Sequence, residues 1–100
     1  MSKVIFSIRY DIYPEKREDY LTVIKELKSL VKGDGLESYS VYEVKGKPNC
    51  FEEMYVYESK EAWENADDID NERIDILMTK VSDMIKDKST HYTTLFEVES

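Results

Sequence analysis

Hydrophobic and polar residues alternate through the first segment of the chain, from Val4 to Ile12. The apolar positions carry β-branched and aromatic side chains, whereas Ser7, Arg9 and Asp11 lie between them. A period of two with these residue types predicts a β-strand with one strongly apolar face.

The next segment changes to helical spacing. Between Glu15 and Lys32, apolar side chains recur every three or four residues, which predicts one helix with a single buried stripe. Pro14 suits the first helical turn, and Gly33 is expected to end the helix in a left-handed conformation.

A hairpin is predicted next, because two alternating segments, 36–44 and 50–58, flank a short polar turn. The turn contains Gly46, Pro48 and Asn49, which are typical turn residues. The hairpin therefore supplies the second and third strands of the fold.

Two helical segments and a strand follow the hairpin. Ser59 is expected to cap a short helix that carries Trp63, the one tryptophan of the chain. The acidic segment 67–70 interrupts this helix, and Asp68 or Asp70 is expected to cap a second segment with apolar positions from 74 to 85. The alternating residues 90–98 predict a last strand.

The order β-α-β-β-α-β over residues 1–100 contains no repeat and no linker. It predicts a single ferredoxin-like α+β domain, with a four-stranded antiparallel sheet and both helices on one face. The third strand has Phe51, Tyr55 and Tyr57 on one side but Met54 and Val56 on the other. Because a sheet with two apolar faces should not leave one in water, we expect a homodimer.

Charge and cysteine content exclude several classes of partner. The formal net charge is −8, which disfavours nucleic acids and anionic membranes. Cys50 is alone, so it forms no intramolecular disulfide and no cysteine cluster for a metal. The N-terminal apolar run is too short for a signal peptide, and no stretch approaches the roughly 20 apolar residues of a membrane span. We expect a cytoplasmic protein with neither a metal nor a cofactor.

The whole chain resembles the dimeric α+β barrel superfamily, and within it the antibiotic biosynthesis monooxygenase-like group. The resemblance is carried by "YP" after the first strand, by "GDGLESYSVYEV", and by "FEEMYVYESKEAW", where a strand leads into a helix. It implies a homodimer whose two sheets form a barrel with helices outside. Members of the group include cofactor-independent oxygenases of aromatic substrates, haem-degrading enzymes, isomerases and many proteins with no known activity.

Several positions depart from the pattern of that group. The glutamate that the group often has in the third strand is replaced by Tyr55. The histidine that it often has about three residues after the hydrophobic position of the next helix, here Trp63, is replaced by Ala66. The first strand has no asparagine and the second long helix no histidine, in contrast to haem-degrading relatives. The resemblance therefore implies the fold but does not identify the chemistry.

Three residues are candidates for a catalytic role. Arg9, inside an apolar strand, could stabilise an anionic oxygen, or could instead pair with Glu53, Glu43 or the partner subunit. His91, the one histidine of the chain, could act as a general base, although no cysteine, serine or carboxylate partner follows from its spacing. Tyr55 could donate its phenolic proton to a substrate or could belong to the dimer interface.

Two further residues are candidates for binding a ligand. Trp63 could stack on a planar molecule or fill the core beside its helix. Tyr39 could bind a substrate or lie in the dimer interface.

Two functions are compatible with the sequence. The first is a cofactor-independent, monooxygenase-like activity on a small, partly aromatic molecule, in which positioning and anion stabilisation lower the barrier. The second is a dimeric binding or regulatory module without catalysis. The space beneath Trp63 distinguishes the two, because an enzyme needs it open, whereas a structural module would fill it with Leu77, Met78 or Phe96.

Overall fold

The computed structural model describes residues 2–66 and 71–98. Four strands form the sheet: β1 (Val4–Asp11), β2 (Leu36–Glu43), β3 (Cys50–Tyr57) and β4 (His91–Phe96). Three helices accompany them: α1 (Arg17–Leu30), α2 (Lys60–Glu64) and α3 (Glu72–Met84). A short 3-10 turn, Pro14–Lys16, precedes α1.

The strands lie in the order β2-β3-β1-β4, and all neighbours are antiparallel. This confirms the ferredoxin-like α+β fold. Paired residues of antiparallel strands direct their side chains to the same face of the sheet. The pairing of Ile8 with Glu53 on β3 and with Tyr92 on β4 therefore places these three side chains on one face.

The core lies between this face of the sheet and the two long helices. Its side chains come from the apolar stripes of α1 and α3 and from the inner positions of β1, β2 and β3. The buried residues include Tyr10, Tyr20, Leu27, Tyr39, Phe51, Ile74, Leu77 and Val81. The helical stripes that the sequence predicts are thus the ones that pack on the sheet.

The end of α1 differs from the expectation. The helix stops before Val31, whose φ of −74° and ψ of 100° are extended, and Gly33 is not among the residues with positive φ. Gly35 instead has a φ of 80°, and a Cβ atom there would lie 2.5 Å from the Cβ atom of Ala62. The predicted Gly33 cap is wrong because the chain turns two residues later, where α2 approaches too closely for any side chain.

Side-chain caps define the starts of α2 and α3. The hydroxyl of Ser59 accepts a hydrogen bond from the Ala62 amide at 3.0 Å, which confirms the predicted cap. The Oδ1 atom of Asn71 accepts from the amides of Arg73 and Ile74, so this asparagine begins α3. The predicted caps Asp68 and Asp70 lie outside the described residues. Within the described ranges, no helix has the length and apolar character needed to cross a membrane.

Candidate functional site

A cavity of about 320 Å³ opens between the inner face of the sheet and the C-terminal half of α3. We call it the Glu53 cavity. Part of its lining is apolar, with Ile8, Met78, Val81, Ile85 and Tyr92. Glu53 and Tyr10 add polar groups from the sheet, and the connection between α3 and β4 contributes residues 86–88. Small-molecule sites usually combine apolar surface with converging polar groups, and this cavity contains both.

Glu53 is the unusual residue of this cavity, because its carboxyl group is buried and only 3% of the residue is exposed. Its Oε2 atom accepts a hydrogen bond from the Tyr10 hydroxyl at 2.7 Å, and its Oε1 atom accepts one from the Tyr39 hydroxyl at 2.6 Å. Burial raises the pKa of Glu53 above its ordinary value, while the two phenolic hydrogen bonds act in the opposite direction. The site therefore contains a proton-exchanging group, shielded from water, in the cavity wall.

The hydroxyl of Tyr20 extends this hydrogen-bonded network, since it lies 2.7 Å from that of Tyr10. A phenol has one proton, and Tyr10 gives its own to Glu53, so Tyr20 must donate to Tyr10 when Glu53 is ionised. Burial raises the pKa of Tyr10, Tyr20 and Tyr39, which keeps all three phenols neutral. Three hydroxyl protons thus point along one network towards a single carboxylate.

The alternation of residues along the third strand already indicates that Glu53 is unusual. In "CFEEMYVY", Phe51, Tyr55 and Tyr57 share the inner face, and Glu53 occupies the same parity. A carboxylate among the aromatic side chains on the buried face of a strand is unusual unless it is hydrogen-bonded. Glu53 thus lies two residues before Tyr55, the position where the group often has a glutamate, and on the same face of the sheet.

Tyr39 and Tyr55 lie close to the buried carboxyl group. Tyr39 binds it directly, and the ring of Tyr55 lies 4.8 Å from that of Tyr39, centroid to centroid. Burial also raises the pKa of Tyr55. The structure thus brings these two candidates together on the inner face, next to Glu53.

Arg9 lies on the opposite face of the sheet. It forms an ion pair with Glu52 at 2.8 Å, and 45% of its side chain is exposed. The expected partners were wrong, because Glu53 is directed to the other face and Glu43 binds Arg17 at 2.6 Å. His91 pairs with Arg9 across β1 and β4 and is exposed, so neither residue reaches the Glu53 cavity.

Trp63 also lies away from the Glu53 cavity. Its ring packs edge-on against Phe96, with ring centroids 5.6 Å apart and an interplanar angle of 75°. Phe96 is one of the residues that would fill the space beneath Trp63 in a structural module. The Glu53 cavity lies instead under α3.

We expect Tyr39→Phe to raise the pKa of Glu53 further, because the variant removes a donor that favours the ionised carboxylate. It should also lower the free energy of unfolding by about 1–3 kcal/mol at a pH where Glu53 is ionised. Carbon-detected NMR titration and urea unfolding measure the two effects. Tyr42→Phe is the matched control on the same strand, since Tyr42 is exposed. An unchanged pKa in Tyr39→Phe would contradict the hydrogen bond.

Comparisons with solved structures find the same fold in several proteins. A conserved protein from Methanosarcina mazei Go1 has a TM-score of 0.76 and 18% identity, and the match covers 95% of this chain and 92% of that one. Rv0793 from Mycobacterium tuberculosis has a TM-score of 0.74 and 16% identity, with 98% and 97% covered. A variant of SnoaB, a cofactor-independent oxygenase from Streptomyces nogalater, has a TM-score of 0.72 and 12% identity, with 98% and 95% covered.

A search of curated proteins finds no match for this chain. The model of the antibiotic biosynthesis monooxygenase family, in contrast, matches residues 3–70, which include the first three strands, α1 and α2. This match covers more than half of the chain, and the similar structures share its fold over nearly the whole length. The chain therefore belongs to the antibiotic biosynthesis monooxygenase family.

Proposed function

We propose that this protein is a cofactor-independent, monooxygenase-like enzyme that binds a small, partly aromatic molecule in the Glu53 cavity. The observation that carries the proposal is the buried carboxyl group of Glu53 in the wall of a partly apolar cavity. A structural role alone does not require a titratable group at this position, where an apolar residue would avoid the cost of burying a carboxylate. A carboxyl group with a raised pKa is suited to accepting a proton near neutral pH.

In the proposed reaction, the carboxylate of Glu53 removes a proton from an activated carbon of the substrate. The electron pair stays on the substrate as a delocalised anion, which the aromatic system stabilises. Dioxygen is the oxidant: one of its atoms becomes a carbonyl oxygen on that carbon, and the other leaves as water with the two hydrogens of the original CH₂ group. The phenols of Tyr10 and Tyr39 hold the carboxylate in place during the transfer.

A binding module without catalysis remains the second candidate function, and the packing of Trp63 favours it. Trp63 contacts Phe96 and is not among the residues that line the Glu53 cavity, so this planar ring does not clamp a ligand there. The cavity lining also contains neither histidine nor arginine among its described residues. In such a module, Glu53 would accept a hydrogen bond from a ligand hydroxyl without taking its proton.

The two candidates are separated by measuring oxygen uptake and ligand binding on one panel of compounds. The panel consists of fused and single-ring aromatics with an acidic CH₂ or hydroxyl group. We expect at least one compound to bind and to consume one dioxygen molecule per product molecule formed. Binding without oxygen uptake by any compound would favour the module, and absence of binding across the panel would contradict both candidates.

We also propose that the outer face of the sheet pairs with a second copy of the chain. This face carries apolar side chains from several strands, among them Ile5, Met54, Val56 and Leu95. Leu95 is 49% exposed on the edge strand β4, although it is apolar. A two-fold dimer would cover this surface and is the commonest arrangement for such a face.

We expect Leu95→Lys to shift the protein from dimer to monomer in sedimentation velocity at micromolar concentration, because the variant introduces a charge into the proposed interface. Ile76→Lys is the matched control, since Ile76 is also 49% exposed but lies on α3. A monomeric wild-type protein, or equal dissociation of the two variants, would contradict the proposed interface.

A further inference from the structure

A second cavity, of about 420 Å³, lies at the end of the sheet where β1 ends and where β3 and β4 begin. Four of the nine residues that line it are basic: Arg9, Lys47, Lys86 and Lys88. We call it the cationic cavity. Its two acidic lining residues, Asp11 and Asp87, leave an excess of positive charge, in a chain whose formal net charge is −8. The net charge of the cavity remains positive when Glu52, the partner of Arg9, is counted with the lining residues.

The three lysines of the cationic cavity take part in none of the ion pairs that join described residues. Those pairs are Lys3–Glu37, Arg9–Glu52, Arg17–Glu43 and Arg73–Glu26. The chain has 22 acidic residues against 14 basic ones, so unpaired cations gathered in one cavity are not a consequence of composition. The ammonium groups of three lysines that line one cavity repel one another, and an anion bound in the cavity would offset that repulsion.

Arg9 adds a fixed set of donors to this cavity. Its Nε and Nη2 atoms both donate to one oxygen of Glu52, at 3.1 and 2.8 Å. A guanidinium has five N–H groups, so three of them are not used in this ion pair. The Glu52 contact therefore holds the Arg9 side chain in one orientation and leaves donors for an anionic ligand.

The connection between α3 and β4 is also held in place. The Lys86 amide donates to the Asp11 carbonyl oxygen at 2.8 Å, and the Asp11 amide donates to the Ser89 hydroxyl at 3.1 Å. Lys88 has a φ of 62°, in the left-handed region that residues other than glycine rarely adopt. Such a conformation persists where the surroundings impose it, and it occurs preferentially at binding sites.

We propose that the cationic cavity binds a compact oxyanion of the phosphate type, either free or as the end group of a small molecule. A doubly charged tetrahedral anion suits a cavity lined by several lysines together with the planar donor group of Arg9. His91, which pairs with Arg9 across the sheet, also lines this cavity. This site does not depend on a role for Glu53, which lies on the other face.

Isothermal titration calorimetry at constant ionic strength, with inorganic phosphate as the probe, tests the site. We expect saturable binding of one phosphate per chain. Lys47→Gln and Lys86→Gln should each weaken it about tenfold, the usual effect of losing one charge-assisted contact. Lys32→Gln is the matched control, because Lys32 is an exposed lysine outside the cavity. Absence of saturable binding, or an equal loss in the control, would overturn the proposal.

Binding of phenyl phosphate distinguishes a free anion from an anion that is the end group of a small molecule. Residues 86–88 line the cationic cavity and also the Glu53 cavity, so an aromatic phosphate ester could contact both. Tighter binding of phenyl phosphate than of phosphate, with the advantage lost in Tyr92→Ala, would support a phosphorylated ligand. Equal affinities for the two probes would support a free anion. If the lysine variants changed neither affinity, the anion would bind elsewhere and the assignment of this cavity would be wrong.

Discussion

Glu53→Gln should reduce the turnover of any substrate of the Glu53 cavity by about 10²–10⁴-fold, the usual contribution of a general base. The amide has nearly the same shape and can still form hydrogen bonds with Tyr10 and Tyr39, but it cannot take up a proton. Substrate affinity should therefore change much less than turnover. Steady-state oxygen uptake measures the effect, and an active Glu53→Gln enzyme would contradict the proposed role.

The same variant should change the pH dependence of stability. Because burial raises the pKa of Glu53, the folded state binds more protons than the unfolded state between the ordinary pKa and the raised one. The free energy of unfolding therefore falls as the pH rises through this window, and Glu53→Gln should remove that fall. Urea unfolding between about pH 4 and pH 8 measures this change in the free energy of unfolding.

Glu52→Gln is the matched control for this experiment, since Glu52 is adjacent in sequence but lies on the opposite face. The hydrogen bond and charge of Arg9 lower the pKa of Glu52, so its contribution is present above the ordinary pKa and is lost as the pH falls. The two variants should thus change the pH profile with opposite signs. Profiles that change in the same direction would contradict the assignment of the two carboxylates to opposite faces.

Leu77→Ala should have the largest effect on stability, with a loss of about 2–5 kcal/mol in the free energy of unfolding. Leu77 is 1% exposed and belongs to the stripe of α3 that packs in the core. Its truncation removes apolar contacts and leaves a void between this helix and the rest of the core. Urea unfolding measures the loss.

Ile76→Ala is the matched control, because Ile76 is the preceding residue and is 49% exposed. Removal of an exposed side chain should change the free energy of unfolding by about 0.5 kcal/mol or less. Similar losses in the two variants would contradict the orientation of α3 over the sheet, and with it the position of the Glu53 cavity.

The strands and helices could be predicted from the sequence because their signals are local. The alternation from Val4 to Ile12 and the helical stripes of α1 and α3 each fall within one segment. The Ser59 cap is likewise a local feature, and the structure confirms it. The Gly33 cap was wrong because the turn depends on the distance between Gly35 and Ala62, a contact that no local pattern contains.

The site was harder to predict because its residues meet only through the register of the sheet. Glu53, Tyr10, Tyr20 and Tyr39 come from three strands and a helix, and their hydroxyl and carboxyl groups converge only in the folded chain. An ion pair between Arg9 and a glutamate was predicted, but the partner was not identified. The choice depends on which of two adjacent glutamates is directed to the outer face, and this is Glu52. The sequence does show that Glu53 lies on the same face of its strand as three aromatic residues, and this feature could have located the site.

The most direct test of the central claim is a carbon-detected NMR titration of the Glu53 carboxyl group in the wild-type protein, assigned with Glu53→Gln. We predict an apparent pKa above the ordinary value of 4.5, caused by burial in the cavity wall. The resonances of the Tyr10 and Tyr39 rings should change with the same midpoint, because their hydroxyls donate to this carboxylate. A midpoint at or below 4.5 would mean that Glu53 is exposed to water or paired with a cation, and would contradict its proposed role as a proton acceptor.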